Sequence, residues 1–164
     1  MWWERTKAKK MLSAGAVAPS FQLQLLAGGS ESLEAILARG PVLLAFFKIS
    51  CPVCQLTFPY LERIAAGTGL QLIGISQDDS RATQNFNQHF GITFPMLLDQ
   101  SKDCYPASNA YGISSVPSLF LVEPDGKIST AFSGFSKRDF EALGERAGVK
   151  PFQPSDQVPE WKAG

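Results

Sequence analysis

"PVLLAFFKISCPVCQLTFPYLERIA", residues 41–65, carries two different periods in succession. Val42 to Phe47 is an unbroken apolar run, the pattern of a strand buried on both faces of a sheet. Beyond Cys51 and Cys54, Leu56, Tyr60, Leu61, Ile64 and Ala65 recur at helical spacing until Gly67. Pro52 falls at what is then the first helical position, where its missing N–H would have had no partner. The stretch reads as a buried strand, a Cys-x-x-Cys at the turn, and a helix.

That placement gives the cysteines a chemistry. Cys51 sits at the helix N-terminus, where free N–H groups and the helix dipole favour negative charge, worth about 0.3–1 kcal/mol on exposed groups. Cysteines in such settings ionise more readily, and the thiolate is the nucleophile. Cys54 lies one turn on along the same face, expected to be the more buried thiol and placed to resolve a mixed disulfide. Pro59 removes one helical hydrogen bond and is expected to kink the helix. Other readings of the pair are a structural zinc site and two inert core cysteines. Zinc normally takes four ligands, and the remaining candidates, Cys104 and His89, stand alone without paired spacing.

Working outward, "LQLIGIS" (70–76) reads as a second buried strand. Ser80 is positioned to cap a helix with Thr83, Phe86 and Phe90 on one face, stopped by Gly91. Asp103 is positioned to cap a short helix ending near Gly112. "PSLFLVEPDGKISTAF" (117–132) reads as two strands joined at Glu123-Pro124-Asp125-Gly126. Ser136, with Asp139 three residues later, opens a last helix containing Phe140, Leu143 and Ala147. Strand–helix–strand–helix, then hairpin, then helix, implies an α/β domain: a mixed sheet flanked by helices on both faces.

With 164 residues the chain is read as a 1–14 leader, one domain over 15–148 and a Pro-rich tail over 149–164. The tail is expected to lie extended on the surface, pinned by Phe152 and Trp161. A formal net charge of zero leaves no basic excess for phosphate, so nucleic acid is not an expected partner. No apolar run reaches the roughly 18–20 residues of a membrane span. The first residues have basic character without a following apolar core, which leans cytoplasmic as written, or extracytoplasmic if an export segment has been removed. Trp2 and Trp3 beside Arg5, Lys7, Lys9 and Lys10 read as a solvated leader, with contact to a membrane surface as the alternative. Three cysteines are too few for a disulfide-built scaffold.

Taken together, strand, Cys-x-x-Cys, helix, strand, helix and "SSVPSLFLVEPDG" (114–126) resemble the thioredoxin fold. The chain is most similar in kind to the redoxins, the group spanning TlpA-like thiol–disulfide oxidoreductases and AhpC/TSA-type peroxiredoxins. "GAVAPSFQLQLLAGGSESLEAILARGPVLLAFF" (15–47) resembles that group's opening: a Pro-x-Phe-x-Leu strand, a Gly turn, then Ser-Leu before a short helix. "GISQDD" (74–79) and "GITFPMLLD" (91–99) resemble its middle, so the likeness covers about residues 15–147. It implies disulfide exchange with partner proteins by Cys51 and Cys54, without a cofactor, the redox equivalents being the two sulfurs. It also implies that Val116-Pro117 is a cis-proline pair facing them, with Val116, Pro117 and Pro52 contacting the substrate. Relatives of the TlpA kind are largely exported.

The departures are specific. Peroxiredoxins carry Pro-x-x-x-Thr-x-x-Cys around their reactive cysteine, and here Leu44 and Lys48 occupy the Pro and Thr positions. A thiol peroxidase, or a redoxin-like domain that only binds, stays as the alternative function. TlpA-like proteins often have Trp before the first Cys and Glu three after the second; these are Ser50 and Thr57. The buried Asp of thioredoxins is Ala45, which leaves no obvious carboxylate for the Cys54 proton. Lys48 is a candidate to tune the ionisation of Cys51, or else a solvated lysine at a strand end. Cys104 reads as a small packing residue, with a second resolving or partner-bridging thiol as alternatives. His89 reads as a capping or surface residue, and Asp78 and Asp79 as a strand-end turn and helix entry.

Overall fold

A computed structural model of the chain describes residues 10–164; Trp2, Trp3, Arg5, Lys7 and Lys9 lie outside the described residues. The apolar run is strand β3 (Val42–Phe47), and every one of its residues is buried. The period of two divides it between two cores. Leu43, Ala45 and Phe47 face one cluster, with Val42, Leu44 and Phe46 facing the other.

Seven strands form one mixed sheet in the order β2-β1-β5-β4-β3-β6-β7. Its outer part is β1 (Gln22–Leu25) and β2 (Ser30–Ser32), followed by a short helix α1 (Leu33–Leu37) that Ser32 caps through Ala35 N–H. β4 (Gln71–Ser76) runs parallel to β3, and β5 (Met96–Leu98) parallel to β4. The hairpin β6 (Ser118–Val122) and β7 (Ile128–Ser133) lies on the other side, β6 antiparallel to β3 with Phe46 opposite Ser118. Helices α2 (Pro52–Ala65), α3 (Ser80–Phe90) and α5 (Lys137–Ala147) send Phe58, Phe86 and Phe140 into the first cluster. Helices α1 and α4 (Pro106–Tyr111) send Ile36 and Tyr111 into the second. This is the thioredoxin-like arrangement expected from the order of elements.

Helix α2 buries Val53, Cys54, Thr57, Phe58, Leu61 and Ile64. The stripe is therefore centred on Cys54, Phe58 and Leu61, and Leu56 and Tyr60 flank it half-buried. The helix continues through Pro59. Phe58 is a hub: its ring lies 4.2 Å from Phe47, 5.5 Å from Phe86 and 5.8 Å from Phe94.

Several local expectations need correcting. The cap of α3 is Asp79, whose Oδ1 accepts from Ala82 N–H at 2.8 Å; Ser80 is the first helical residue. Asp103 does not cap α4 but lies in a 3-10 turn, Ser101–Asp103. The caps come instead from buried Asp99 at the end of β5, which accepts from Ala107 N–H at 3.0 Å and Ser108 N–H at 2.7 Å. A carboxylate reached from another element replaces the adjacent one because Tyr105, preceding the helix, is left-handed with φ 48° and offers no side-chain cap. Ser136 caps α5 as expected, accepting from Asp139 N–H at 3.3 Å.

The tail lies on the domain, pinned by Phe152 as expected but not by Trp161. Phe152 packs on Tyr60 at 5.0 Å, and Asp156 pairs with Arg63 at 2.7 Å. Trp161 is 62% exposed, so its side chain does not serve as the expected pin. Its backbone instead forms strand β9 (Trp161–Lys162), paired antiparallel with β8 (Phe135–Ser136). At the other end, Leu12 N–H donates to Tyr111 C=O at 3.1 Å.

Candidate active site

Parallel strands β3 and β4 end side by side, and the chain leaving β3 turns into α2 through Lys48–Ser50. Two side chains hold that turn. Ile49 N–H donates to Asp78 Oδ2 at 2.9 Å, and Gln55 Nε2–H donates to Ile49 C=O at 2.9 Å. Neither role is readable from the sequence, because both join residues whose proximity depends on the finished fold. The adjacent "DD" is the only available signal; its first member serves the turn while its second caps α3.

Cys51 is the N-cap of α2, with extended backbone at φ −81° and ψ 117°. Its Sγ accepts from Cys54 N–H at 3.2 Å and lies 3.4 Å from the Val116 carbonyl oxygen, to which the thiol donates. Pro52 is the first helical residue and is exposed. Cys51 is half-buried, whereas Cys54 has no exposure. Both are free thiols.

Burial pushes the Cys54 thiol up, as do its contact with Cys51 and the Cys51 and Asp78 charges, while a Lys48 backbone hydrogen bond pulls the other way. Burial dominates because a thiolate sealed among apolar side chains has lost its water. Ala45 and Thr57 complete that seal: both have no exposure, and the Thr57 hydroxyl is committed to Val53 C=O at 2.6 Å. Asp78 is thus the carboxylate whose charge reaches Cys54, a contribution hidden behind the two missing family carboxylates.

Facing the pair, Val116-Pro117 is a cis peptide, as the resemblance implies. Pro117 is buried and its carbonyl accepts from Gly134 N–H at 2.9 Å. Lys48 is exposed and lines a small polar recess of about 190 Å³ with Gln77, Tyr105, Asn109 and Val116. Cys51, Cys54, Pro52, Val116 and Pro117 therefore meet at one end of the sheet, with Lys48 at the rim. Cys104 is not packed away; it is exposed at φ 63°. His89 is exposed in the last turn of α3. Among the described residues no three His, Cys, Asp or Glu side chains gather where they would hold a metal ion.

Comparison with known proteins agrees with this geometry. The profile of the AhpC/TSA family matches residues 14–131. The chain belongs to the AhpC/TSA family. Within it, the chain is 29% identical over 130 residues to the thiol-disulfide oxidoreductase ResA of Bacillus subtilis (strain 168), covering 77% of this chain and 70% of that one. Among solved structures, this AhpC/TSA member is similar to the thioredoxin domain of a thiol-disulfide oxidoreductase from Bacteroides vulgatus. The TM-score is 0.72 at 26% identity, over 82% of this chain and 97% of that one. It is also similar to a thiol:disulfide interchange protein of the thioredoxin family from Chlorobium tepidum TLS. There the TM-score is 0.65 at 26% identity, over 80% and 95% of the two chains. Among the described residues, no helix is long and apolar enough to cross a membrane.

Proposed function

We propose that this chain, a thiol–disulfide oxidoreductase, exchanges disulfides with partner proteins through Cys51 as nucleophile and Cys54 as resolving thiol. The observation that carries the reading is the asymmetry of the pair. One cysteine is only partly buried at a helix N-terminus, its sulfur 3.4 Å from the Val116 carbonyl, and the other has no exposure. The Cys51 thiolate attacks one sulfur of a partner disulfide, forming a mixed disulfide and releasing the other partner sulfur, which takes up a proton. Cys54 then gives up its proton and attacks Cys51 Sγ, releasing the second partner thiol. The partner gains two electrons and two protons, and the chain is left with a Cys51–Cys54 disulfide. Reversal oxidises a partner dithiol. Val116, Pro117 and Pro52 form the floor on which the partner lies, on a domain taken as 15–148.

The test is to equilibrate the protein against glutathione redox buffers and trap free thiols. A single two-electron transition of the Cys51–Cys54 pair is expected. A midpoint of about −270 mV makes the chain a reductant, and one above about −200 mV makes it an oxidant or isomerase suited to an extracytoplasmic compartment. If no Cys51–Cys54 disulfide forms at any poise, the proposal fails.

Among the described residues, Lys48 supplies the one positive side chain on the rim of the polar recess. Replacing it with glutamine is expected to slow exchange with an anionic disulfide such as oxidised glutathione by about two- to threefold at low ionic strength, the difference fading near 1 M salt. Equal rates for the wild-type chain and Lys48→Gln at low salt would remove Lys48 from the site. A peroxidase reading finds little support in the residues. Lys48, exposed, stands where the family's Thr hydroxyl would be, and Leu44, sealed within β3, replaces its Pro.

A further inference from the structure

The floor beside Cys51 is already covered by part of this chain. The tail is held firmly as far as residue 158: Phe152 lies in an aromatic cluster with Tyr60, Phe135 and Phe140, Asp156 pairs with Arg63, and Val158 packs against the first core. From Glu160 the hold loosens. The Glu160–Lys137 ion pair is 3.6 Å long with the Glu160 side chain 86% exposed, and residues 161–164 are all exposed.

Their backbone nevertheless follows the site. Lys162 pairs with Phe135 and Trp161 with Ser136. Beyond that pairing the chain passes Gly134, where an added Cβ would overlap the Lys162 carbonyl and lie 3.3 Å from Gly164 N. It ends its passage on the proline loop: a Cβ at Gly164 would overlap the Val116 carbonyl oxygen and come within 3.2 Å of Pro117 Cδ. That carbonyl is the one to which the Cys51 thiol donates. Residues 161–164 thus lie as an extended strand along β8 and across the acceptor next to the reactive sulfur.

We propose that residues 161–164 are a displaceable strap, occupying the strand-pairing edge on which an extended segment of a disulfide-bearing partner docks by exchanging with them. The inference rests on disulfide exchange at Cys51 and adds how the partner is admitted. Strand addition draws its affinity from main-chain hydrogen bonds, which any extended polypeptide can supply. A two-residue pairing with exposed side chains is marginal by itself. The anchor at 152–158 keeps the released strap at high local concentration, so it re-closes once the partner leaves. The edge therefore admits extended peptide, while a small disulfide reaches the partly exposed Cys51 without it.

Two variants test this: a chain stopped after Glu160, which keeps the Lys137 N–H to Glu160 C=O bond, and Gly164→Val, whose side chain cannot sit against the Val116 carbonyl. Exchange rates are measured with hydroxyethyl disulfide and with an extended peptide of about ten residues bearing a central mixed disulfide. A strap closed nine-tenths of the time predicts a gain of about tenfold on the peptide for both variants, and less than about twofold on hydroxyethyl disulfide. An unchanged or lowered peptide rate, or an equal gain on both substrates, would overturn the proposal. If neither substrate reacts with the intact chain, the exchange reading falls and the strap with it. Hydrogen exchange gives a second readout. With the peptide trapped on Cys51 in a Cys54→Ala chain, the amides of residues 161–164 are expected to lose protection, and continued protection also refutes the strap.

Discussion

A Cys51→Ser chain is expected to lose disulfide exchange by a factor on the order of 10³ or more, because a serine hydroxyl at neutral pH offers no nucleophile to replace a thiolate. The fold should survive, since serine at a helix N-cap accepts a backbone N–H at least as well as sulfur does, and here the donor is Cys54 N–H. Stability and activity therefore separate in this variant. Cys54→Ala should behave differently again. It leaves the first attack intact and removes the resolving thiol, so the mixed disulfide between Cys51 and the partner accumulates and is visible by mass. Native alkylation provides the control. Cys51 and exposed Cys104 should label in the folded protein, and Cys54, with no exposure and its thiol pushed up by burial, only after unfolding. Exchange persisting in Cys51→Ser at anything near the wild-type rate would transfer the nucleophile's role to another thiol and end the present mechanism.

Phe58→Ala should be the most damaging single substitution to the fold. Its ring has no exposure and touches the rings of Phe47, Phe86 and Phe94, which come from β3, α3 and the approach to β5. Truncating a buried Phe costs about 3–5 kcal/mol, combining lost transfer free energy with the cavity left behind. Against a total of about 5–15 kcal/mol for a typical domain, that is a large fraction. Urea unfolding should show a lower midpoint with little change in slope. The loss also reaches the site, because Phe58 lies four residues after Cys54 on the same buried stripe. Cys54 should become alkylatable in folded Phe58→Ala. A loss below about 1 kcal/mol would mean the core collapses around the gap, and that the rings are less interdependent than their distances imply.

The parts legible in the sequence are those in which one local pattern fixes one outcome. Val42–Phe47 has only one use for six consecutive apolar residues. Pro52 marks the first turn of α2, and Pro124-Asp125-Gly126 marks the hairpin. Cys51 at a helix start with Cys54 behind it needs nothing beyond that spacing. What stays hidden depends on atoms far apart in the chain. Asp99 is unreadable as a cap because its helix begins seven residues later, across a 3-10 turn and two left-handed residues, Cys104 and Tyr105. Asp78 is unreadable as the support of Ile49 because 29 residues separate them. Trp161 misleads in the opposite direction: a large ring suggests an anchor, whereas Phe152 and the Asp156–Arg63 pair hold the tail.

The register of β6 on β3 has a kinetic consequence. Phe46 opposite Ser118 is what brings Val116 to within 3.4 Å of Cys51, 65 residues away in the chain. Contacts of such separation carry the loop-closure entropy that slows folding, and a slip of one residue would turn every β6 side chain to the wrong face. The dithiol itself needs only residues 51–54 and is chemically present in the nascent chain as soon as they emerge. The floor proposed to receive its partners exists only once the hairpin has docked. Between those two moments the molecule is a thiol reagent without a specificity, so its own folding rate sets how long unselected exchange can last.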